Sequence, residues 1–502
     1  MVATAESFVN NYPPWAGAEV AVFAIARWLT RCRHPDATVR SHELDEGEAF
    51  HRKLSRSLSS TRPTQADKSD LTVRPPKSPS DLTKEWLDFA LRLDGAIPHG
   101  LSIESFEVSP TTIQGFLSEV VRVKIRYCGN VDNITTTCST QLPTSVILKM
   151  QAVDPDWRDA AMEANAYDLE AAFFRDLARE LGENVHTPHC FNISLDPDTK
   201  TWVLLIEDLT LHPEFRGADQ LVGLSDEDIL NVVKGLAPFH AAFWNDSRLD
   251  TLCSGILEPF HMGTQRNTTQ WFKTLFTPFM DSHMVAYMQY IYGGSDEGLK
   301  VMRLINANVD WLREQLEAAP TTIVHADLRA DNLFLAPPVE GSTTGRTYLL
   351  DWQLVGTGSA MFDVAWFVCG TIDPGKPSRV AFDRSLVEAY WVGLKESGVD
   401  AEKYTLEQCW REYLVASLWC CFVPFAIFNC NRDSPLPRDD SRGSQIVKSI
   451  IVRHLTAVRE LGALDLNEPI GFELHTALYS SGIVFFRRSR TLLLSHKLQV
   501  FL

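Results

Sequence analysis

Two short stretches of this sequence concentrate the side chains that could do chemistry. The first is Ile323–Leu335, IVHADLRADNLFL, in which His325, Asp327 and Asn332 follow one another as H-x-D-x4-N. The second is Leu349–Gln353, LLDWQ, which carries Asp351. Leu333–Ala336 and Thr347–Asp351 are apolar runs separated by a polar segment containing Pro and Gly, the pattern of an antiparallel hairpin. A hairpin brings its outer ends together, so Asn332 and Asp351 are expected side by side. A carboxylate and an amide carbonyl held in that way suit Mg²⁺, which keeps several waters and bridges substrate phosphates. Asp327, five residues before Asn332, then lies near a transferred phosphoryl group.

The elements that must position these groups lie upstream and around them. Glu119–Tyr127 (EVVRVKIRY) and Ser145–Met150 (SVILKM) read as strands joined by a Thr-rich loop. Asp154–Leu181 reads as helix and Thr201–Ile206 (TWVLLI) as a third strand. Lys149 ends the second strand, and Glu170 lies in the helical run after it. A strand lysine paired to a helix glutamate is how a kinase holds nucleotide phosphates. Glu163, in the same run, is a competing partner. The H-x-D-x4-N spacing is likewise that of a kinase catalytic loop. No G-x-G-x-x-G precedes Lys149. The nearest candidate is TTIQGFLSEV, which offers Gly115 and Ser118 as phosphate contacts. Beyond Leu224 the chain turns mostly helical, beginning with a segment that Ser225 caps, with Asp228 at the capping-box position. Strands first and helices afterwards predict an α+β protein of two lobes.

The predicted organisation is an N-terminal extension and disordered linker over 1–80, a nucleotide-binding lobe of sheet and helix over 81–209, a catalytic lobe over 210–466 and an atypical tail over 467–502. His51–Ser80 is rich in Ser, Thr, Pro, Lys and Arg, a composition that cannot bury enough surface to offset its ordering entropy. The net charge of −17 argues against nucleic acid as a partner, because phosphate-backbone binding needs a cationic footprint. Ten scattered cysteines contain no C-x-x-C pair, so they read as reduced, apolar packing groups. Tyr413–Asn431 is uncharged for 19 residues, but Pro424 and its Ser and Asn residues dilute it. An all-round apolar helix there predicts the buried centre of a lobe in preference to a membrane span. The N-terminus lacks the basic start and apolar core of a signal peptide, and the chain is expected to be soluble and cytoplasmic. His240 and Trp244, four apart on one helix face, read as core residues. Gln270–Met280 and Tyr413–Phe428 read as packing of the helical lobe, with the wall of an acceptor pocket as the alternative.

HADLRADN, LLDWQLVGTG and FDVAW together resemble the aminoglycoside/choline phosphotransferase-like branch of the protein-kinase-like fold. Glu170-x-x-Phe173-Phe174, IEDL at Ile206–Leu209, LAPFHAAFW at Leu236–Trp244 and RELGAL at Arg459–Leu464 are most similar to its ecdysteroid kinase-like (CHK) group. The resemblance covers roughly residues 81–466 and implies a bilobal kinase-like fold using ATP and Mg²⁺. It implies that Asp327 accepts or orients the proton of a substrate hydroxyl, and that Asn332 and Asp351 bind Mg²⁺. Lys149, held by Glu170, would contact the ATP phosphates, and the backbone around Glu207, Asp208 and Leu209 would meet adenine. His325 and Asp363 would organise the catalytic loop. The metal motif is Asp-Trp-Gln where protein kinases have Asp-Phe-Gly, and Ala326 stands where they commonly have arginine. Asp363 follows Asp351 after only twelve positions, which leaves no room for a long regulated segment. The implied acceptor is therefore a small hydroxylated molecule. The rival reading is a catalytically inactive kinase-like protein that binds nucleotide or partners. The oligomeric state and the acceptor's identity are not written in the sequence.

Overall fold

Period-two alternation decides which side chains of the first half of the chain meet which layer. In the computed structural model, which describes residues 74–111, 117–129, 142–153, 155–163, 165–196, 201–250, 285–341, 344–424 and 441–466, α1 (Lys84–Asp94) comes first. Thr83 caps it by accepting from the Trp86 N–H, and Gly95 ends it at φ 84°, a left-handed conformation that glycine takes without a Cβ penalty. β1 (Leu101–Pro110), β2 (Ser118–Gly129) and β3 (Ser145–Gln151) follow. With β4 (Cys190–Asp196) and β5 (Thr201–Glu207) they form a five-stranded antiparallel sheet in the order β1-β2-β3-β5-β4. Val121, Val123, Val146, Leu148, Met150, Val203 and Leu205 bury one face of it against Trp86, Leu87 and Leu91 of α1.

The opposite face carries Trp202 and Leu204, packed on Ala161, Tyr167 and Ala171 of α2 (Pro155–Glu163) and α3 (Ala166–Ala172). Lys149 pairs with Leu204 in the ladder and so shares this second face, toward α3. The single helical run expected over Asp154–Leu181 is interrupted at Asn165, whose φ of 56° is left-handed and ends regular helix. α3 then continues through a π turn (Phe173–Leu177) into Ala178–Leu181.

The second half is built on helices. They are α4 (Asp226–Ala241), α5 (Val285–Ile291), α6 (Glu297–Ala307), α7 (Val309–Ala318), α8 (Ala360–Thr371), α9 (Arg379–Glu396), α10 (Leu406–Cys420) and α11 (Arg442–Glu460). Ser225 caps α4 as its sequence suggests, accepting from the Asp228 N–H at 3.1 Å. Every residue of α8 is buried, and it packs with α10 and α11 at the centre of the largest core. Two small sheets sit beside this core, β6 (Arg216–Gly217) with β8 (Leu333–Ala336) and β9 (Arg346–Leu349), and β7 (Thr321–Val324) with β10 (Gly356–Ser359). The result is the two-lobed α+β architecture expected of a kinase-like protein.

Among the described residues no helix is long and apolar enough to cross a membrane. Tyr413–Cys420 lies inside α10, with its side chains buried against the core. Gly115, Gln270–Met280, the part of the Tyr413–Asn431 segment beyond Phe422–Pro424, the tail and nearly all of the N-terminal extension lie outside the described residues.

Candidate functional site

The loop from His325 to Asn332 leaves β7 and is held at its start by one buried carboxylate. Asp363, on α8 and without exposed surface, accepts the backbone N–H of His325 at 2.7 Å and of Ala326 at 2.9 Å. Ala326 itself has φ 68°, a left-handed conformation that a residue with a Cβ adopts only when its surroundings enforce it. Asp363 Oδ2, which takes the His325 N–H, also lies 3.3 Å from His240 Nε2, and His240 Nδ1 lies 2.8 Å from the Tyr390 hydroxyl. His240 is thus a core residue, as expected, but a polar one that braces Asp363. His325 donates from Nε2 to the Leu350 carbonyl at 2.8 Å and accepts the Asp327 N–H at Nδ1 at 3.2 Å, which fixes its tautomer.

Asp327 is nearly buried, and its Oδ2 receives Asn332 Nδ2 at 3.0 Å with Arg329 Nε at 3.5 Å. Burial pushes its carboxyl above the ordinary range, and Arg329, His325 and Asn332 oppose that push. Asn332 also donates from Nδ2 to the Asp327 carbonyl at 2.9 Å, so Oδ1 is the atom of Asn332 that can serve a cation. Farther along the loop, Gln220 accepts the Ala330 N–H at 2.9 Å and donates to the Gly370 carbonyl at 2.7 Å.

β8 and β9 form the expected hairpin, with Leu333 opposite Leu349 and the Leu350 N–H on the Asn332 carbonyl at 2.9 Å. Asn332 and Asp351 therefore stand at its open end. Asp351 has φ 63° and turns its carboxylate toward the first sheet. Lys149 Nζ lies 2.6 Å from Asp351 Oδ1 and 3.0 and 2.8 Å from the two Glu170 oxygens. Burial works against charge on Lys149, but the Asp351 and Glu170 carboxylates outweigh it and hold the ammonium above its ordinary range. Burial raises Glu170, and the Lys149 charge opposes the rise. Gln353 Nε2 donates to the other Asp351 oxygen at 3.2 Å. Between them Trp352 is fully buried, stacked on Phe173 at 3.6 Å between ring centroids and 7° between planes. Its ring also lies 4.6 Å from that of His325. One aromatic pair thus joins the helix carrying Glu170 to the turn carrying Asp351.

Lys149, Glu170, His325, Asp327, Asn332 and Asp351 are brought together. The remaining described sequence candidates sit on the first sheet and on the turn that follows it. Ser118 is buried at the start of β2, paired with Gln151. Glu207 ends β5 and accepts the His189 N–H at 3.1 Å, with His212 Nε2 at 2.8 Å. The Asp208 side chain serves the fold, receiving Arg122 at 2.7 Å and the Ser145 hydroxyl at 2.6 Å. Burial would raise its carboxyl, but these donors and Thr210 hold it below the ordinary range. Leu209 is buried and opens a short 3-10 turn. Sequence reading gave no role to Gln220, Arg329 or Gln353. Of these only Gln353 carried a signal, as a departure in the metal motif. Among the described residues no three His, Cys, Asp or Glu side chains form a metal-holding cluster.

No curated protein matches the chain. Among solved structures it is similar to a protein described as an aminoglycoside phosphotransferase from Ralstonia eutropha JMP134, at 14% identity and TM-score 0.44 over 75% of this chain and 97% of that one. It is also similar to ethanolamine kinase of Plasmodium vivax (12%, TM-score 0.39, over 71% and 82%). Choline kinase of Cryptosporidium parvum Iowa II is comparable (12%, TM-score 0.39, over 72% and 90%). The ecdysteroid kinase-like family matches residues 112–399, more than half of the chain and the whole of the site just described, and the chain belongs to that family.

Proposed function

We propose that this chain is an ATP- and Mg²⁺-dependent phosphotransferase that moves the γ-phosphate onto a hydroxyl of a small molecule. The observation that carries the reading is the convergence of Lys149, Glu170 and Asp351 within hydrogen-bond distance, beside Asn332 and Asp327. The donor set fits the cation: Asp351 offers a carboxylate and Asn332 an amide oxygen, both hard ligands, and Mg²⁺ characteristically takes few protein ligands with substrate phosphates and water. When bound there, Mg²⁺ would neutralise charge on the phosphates. Lys149, held by Glu170, would contact the phosphates from the sheet side. The acceptor oxygen attacks the γ-phosphorus, the bond to the departing ADP oxygen breaks, and the hydroxyl proton passes to Asp327 Oδ. Burial, by raising the proton affinity of Asp327, favours that last transfer. The eight residues from Trp352 to Ser359 run straight into α8 through the β7–β10 pairing, which supports a small acceptor over a protein.

The test is to incubate the full chain with ATP, Mg²⁺ and a library of hydroxylated metabolites, and to look by mass spectrometry for added phosphate. In parallel, ATP should raise the melting temperature far more with Mg²⁺ than with EDTA, because a ligand of the folded state stabilises by mass action, about 2.7 kcal/mol at a hundredfold excess over Kd. Unchanged melting at millimolar Mg-ATP would sink the reading.

A further inference from the structure

The one residue of the metal motif without a role so far is Gln353. Its side chain is buried, and Nε2 donates to Asp351 Oδ2 at 3.2 Å, two residues back along the same turn. The other oxygen, Oδ1, holds Lys149 Nζ at 2.6 Å. The Asp351 carboxylate is thus fixed between two donors of different kinds. Lys149 is a full charge on a long flexible stem and is shared with Glu170. Gln353 is neutral, short-stemmed and committed to the turn that carries Asp351. Phosphates compete for an ammonium; they have far less to offer a buried neutral amide. A neutral donor also orients a carboxylate without cancelling the negative charge that attracts a cation. Hydrogen-bond partners behind a metal ligand act in this way, and their loss typically weakens metal binding or activity about 10- to 100-fold.

We propose that Gln353 is a positioning residue for the divalent cation: it pins Asp351 Oδ2, so that Oδ1, where Lys149 now sits, is the oxygen offered to the metal once nucleotide phosphates draw Lys149 away. The inference rests on the metal site proposed above and adds to it the residue that aims its only carboxylate. It also gives the glutamine of Asp-Trp-Gln a task that glycine, having no side chain, could not perform.

The full chain is titrated with Mn²⁺ in the presence of saturating ADP, with free Mn²⁺ read by electron paramagnetic resonance. Gln353→Met keeps the side-chain length and removes the donor. It should weaken Mn²⁺ uptake by about tenfold or more, while ADP binding in EDTA stays within about twofold of the parent. Gln353→Ala should behave alike and serves as the second variant if the thioether is not accommodated. Mn²⁺ affinity within about twofold of the parent in either folded variant overturns the role of Gln353 and leaves the metal site standing. A parent chain that takes up no Mn²⁺ with ADP overturns the metal site itself, and this inference with it. The contrast with EDTA separates aiming of the metal ligand from general damage to the fold, which would weaken nucleotide binding in both conditions.

Discussion

Asp363→Asn tests whether the catalytic loop is held by a charge inside the helical lobe. The carboxylate is fully buried and receives two backbone N–H groups, His325 at 2.7 Å and Ala326 at 2.9 Å. Asparagine keeps the shape but turns one of the two acceptors into a donor. Whichever way the amide is placed, one N–H meets another N–H, and the surviving bond loses its charge assistance. Hydrogen bonds to charged groups contribute about 1.5–3 kcal/mol, and a buried donor left unpaired costs about 1–3 kcal/mol. One bond lost and one weakened therefore predicts a destabilisation of about 2–4 kcal/mol. In a cooperative unit of 150–250 residues each kcal/mol moves the thermal midpoint by about 2–4 °C, so a fall of roughly 4–16 °C is expected. Circular dichroism melts of the full-length parent and variant measure it directly. Turnover should drop as well, since Asp327 is only two residues beyond His325. A midpoint lowered by less than about 2 °C, at most about one kcal/mol, would refute the argument that Asp363 anchors this loop.

Three further outcomes follow from the same geometry. Lys149→Met leaves Glu170 and Asp351 without their shared cation, and breaking a buried pair typically costs about 3–5 kcal/mol; adding Glu170→Gln should restore part of the loss in thermal melts, and a double variant no more stable than the single one would contradict the coupling. His454 is buried, without a hydrogen-bond partner among the described residues, and burial together with Arg379 and Arg453 lowers its pKa from 6.5 to about 3. The unfolded chain therefore binds a proton that the folded chain refuses, stability falls as pH drops below about 6.5, at up to about 1.4 kcal/mol per pH unit, and His454→Phe should flatten that slope between pH 6.5 and 4 in melts across pH. Asp327→Asn should leave Mg-ATP affinity within a few-fold of the parent while lowering turnover by about 10² to 10⁴, whereas Asp351→Asn should weaken Mg-dependent nucleotide binding too; titration calorimetry showing the reverse pattern would exchange their roles.

What the sequence made legible was short-range. Asn332 and Asp351 are joined by one hairpin, so the pairing of Leu333 with Leu349 follows from two apolar runs and a polar turn. Lys149 on β3 and Glu170 on α3 are separated only by the short α2, and their contact follows from strand alternation and helix order. Two strands of the first sheet, β1 and β4, escaped reading for a physical reason. β1 has a bulge between Ile103 and Ser105, which shifts the phase of the alternation midway. β4 is an edge strand with its own irregularity between Cys190 and Asn192, and only Phe191 and Asn192 are buried along it. Asn165 hid the break between α2 and α3 in the same way, because a single left-handed residue barely disturbs an otherwise helical composition.

The supports of the site were invisible for a different reason. Gln220 reaches Ala330 and Gly370, positions more than a hundred residues away, and Arg442 reaches Asp331, immediately before the metal-ligand candidate Asn332. Arg122 and Ser145 converge on Asp208 from two different strands. A glutamine or serine in a strand or loop carries no signal by itself, since most such residues are solvated. It becomes informative only once it is known to be buried, because a buried polar group must find a partner. Burial is a property of the whole fold, not of a window of sequence. The proposed base and metal ligands, Asp327, Asn332 and Asp351, can therefore be crowded into two short stretches and read by their spacing. The groups that aim them are drawn from every layer of the protein, and Gln353 is the exception because it lies inside the motif whose carboxylate it holds.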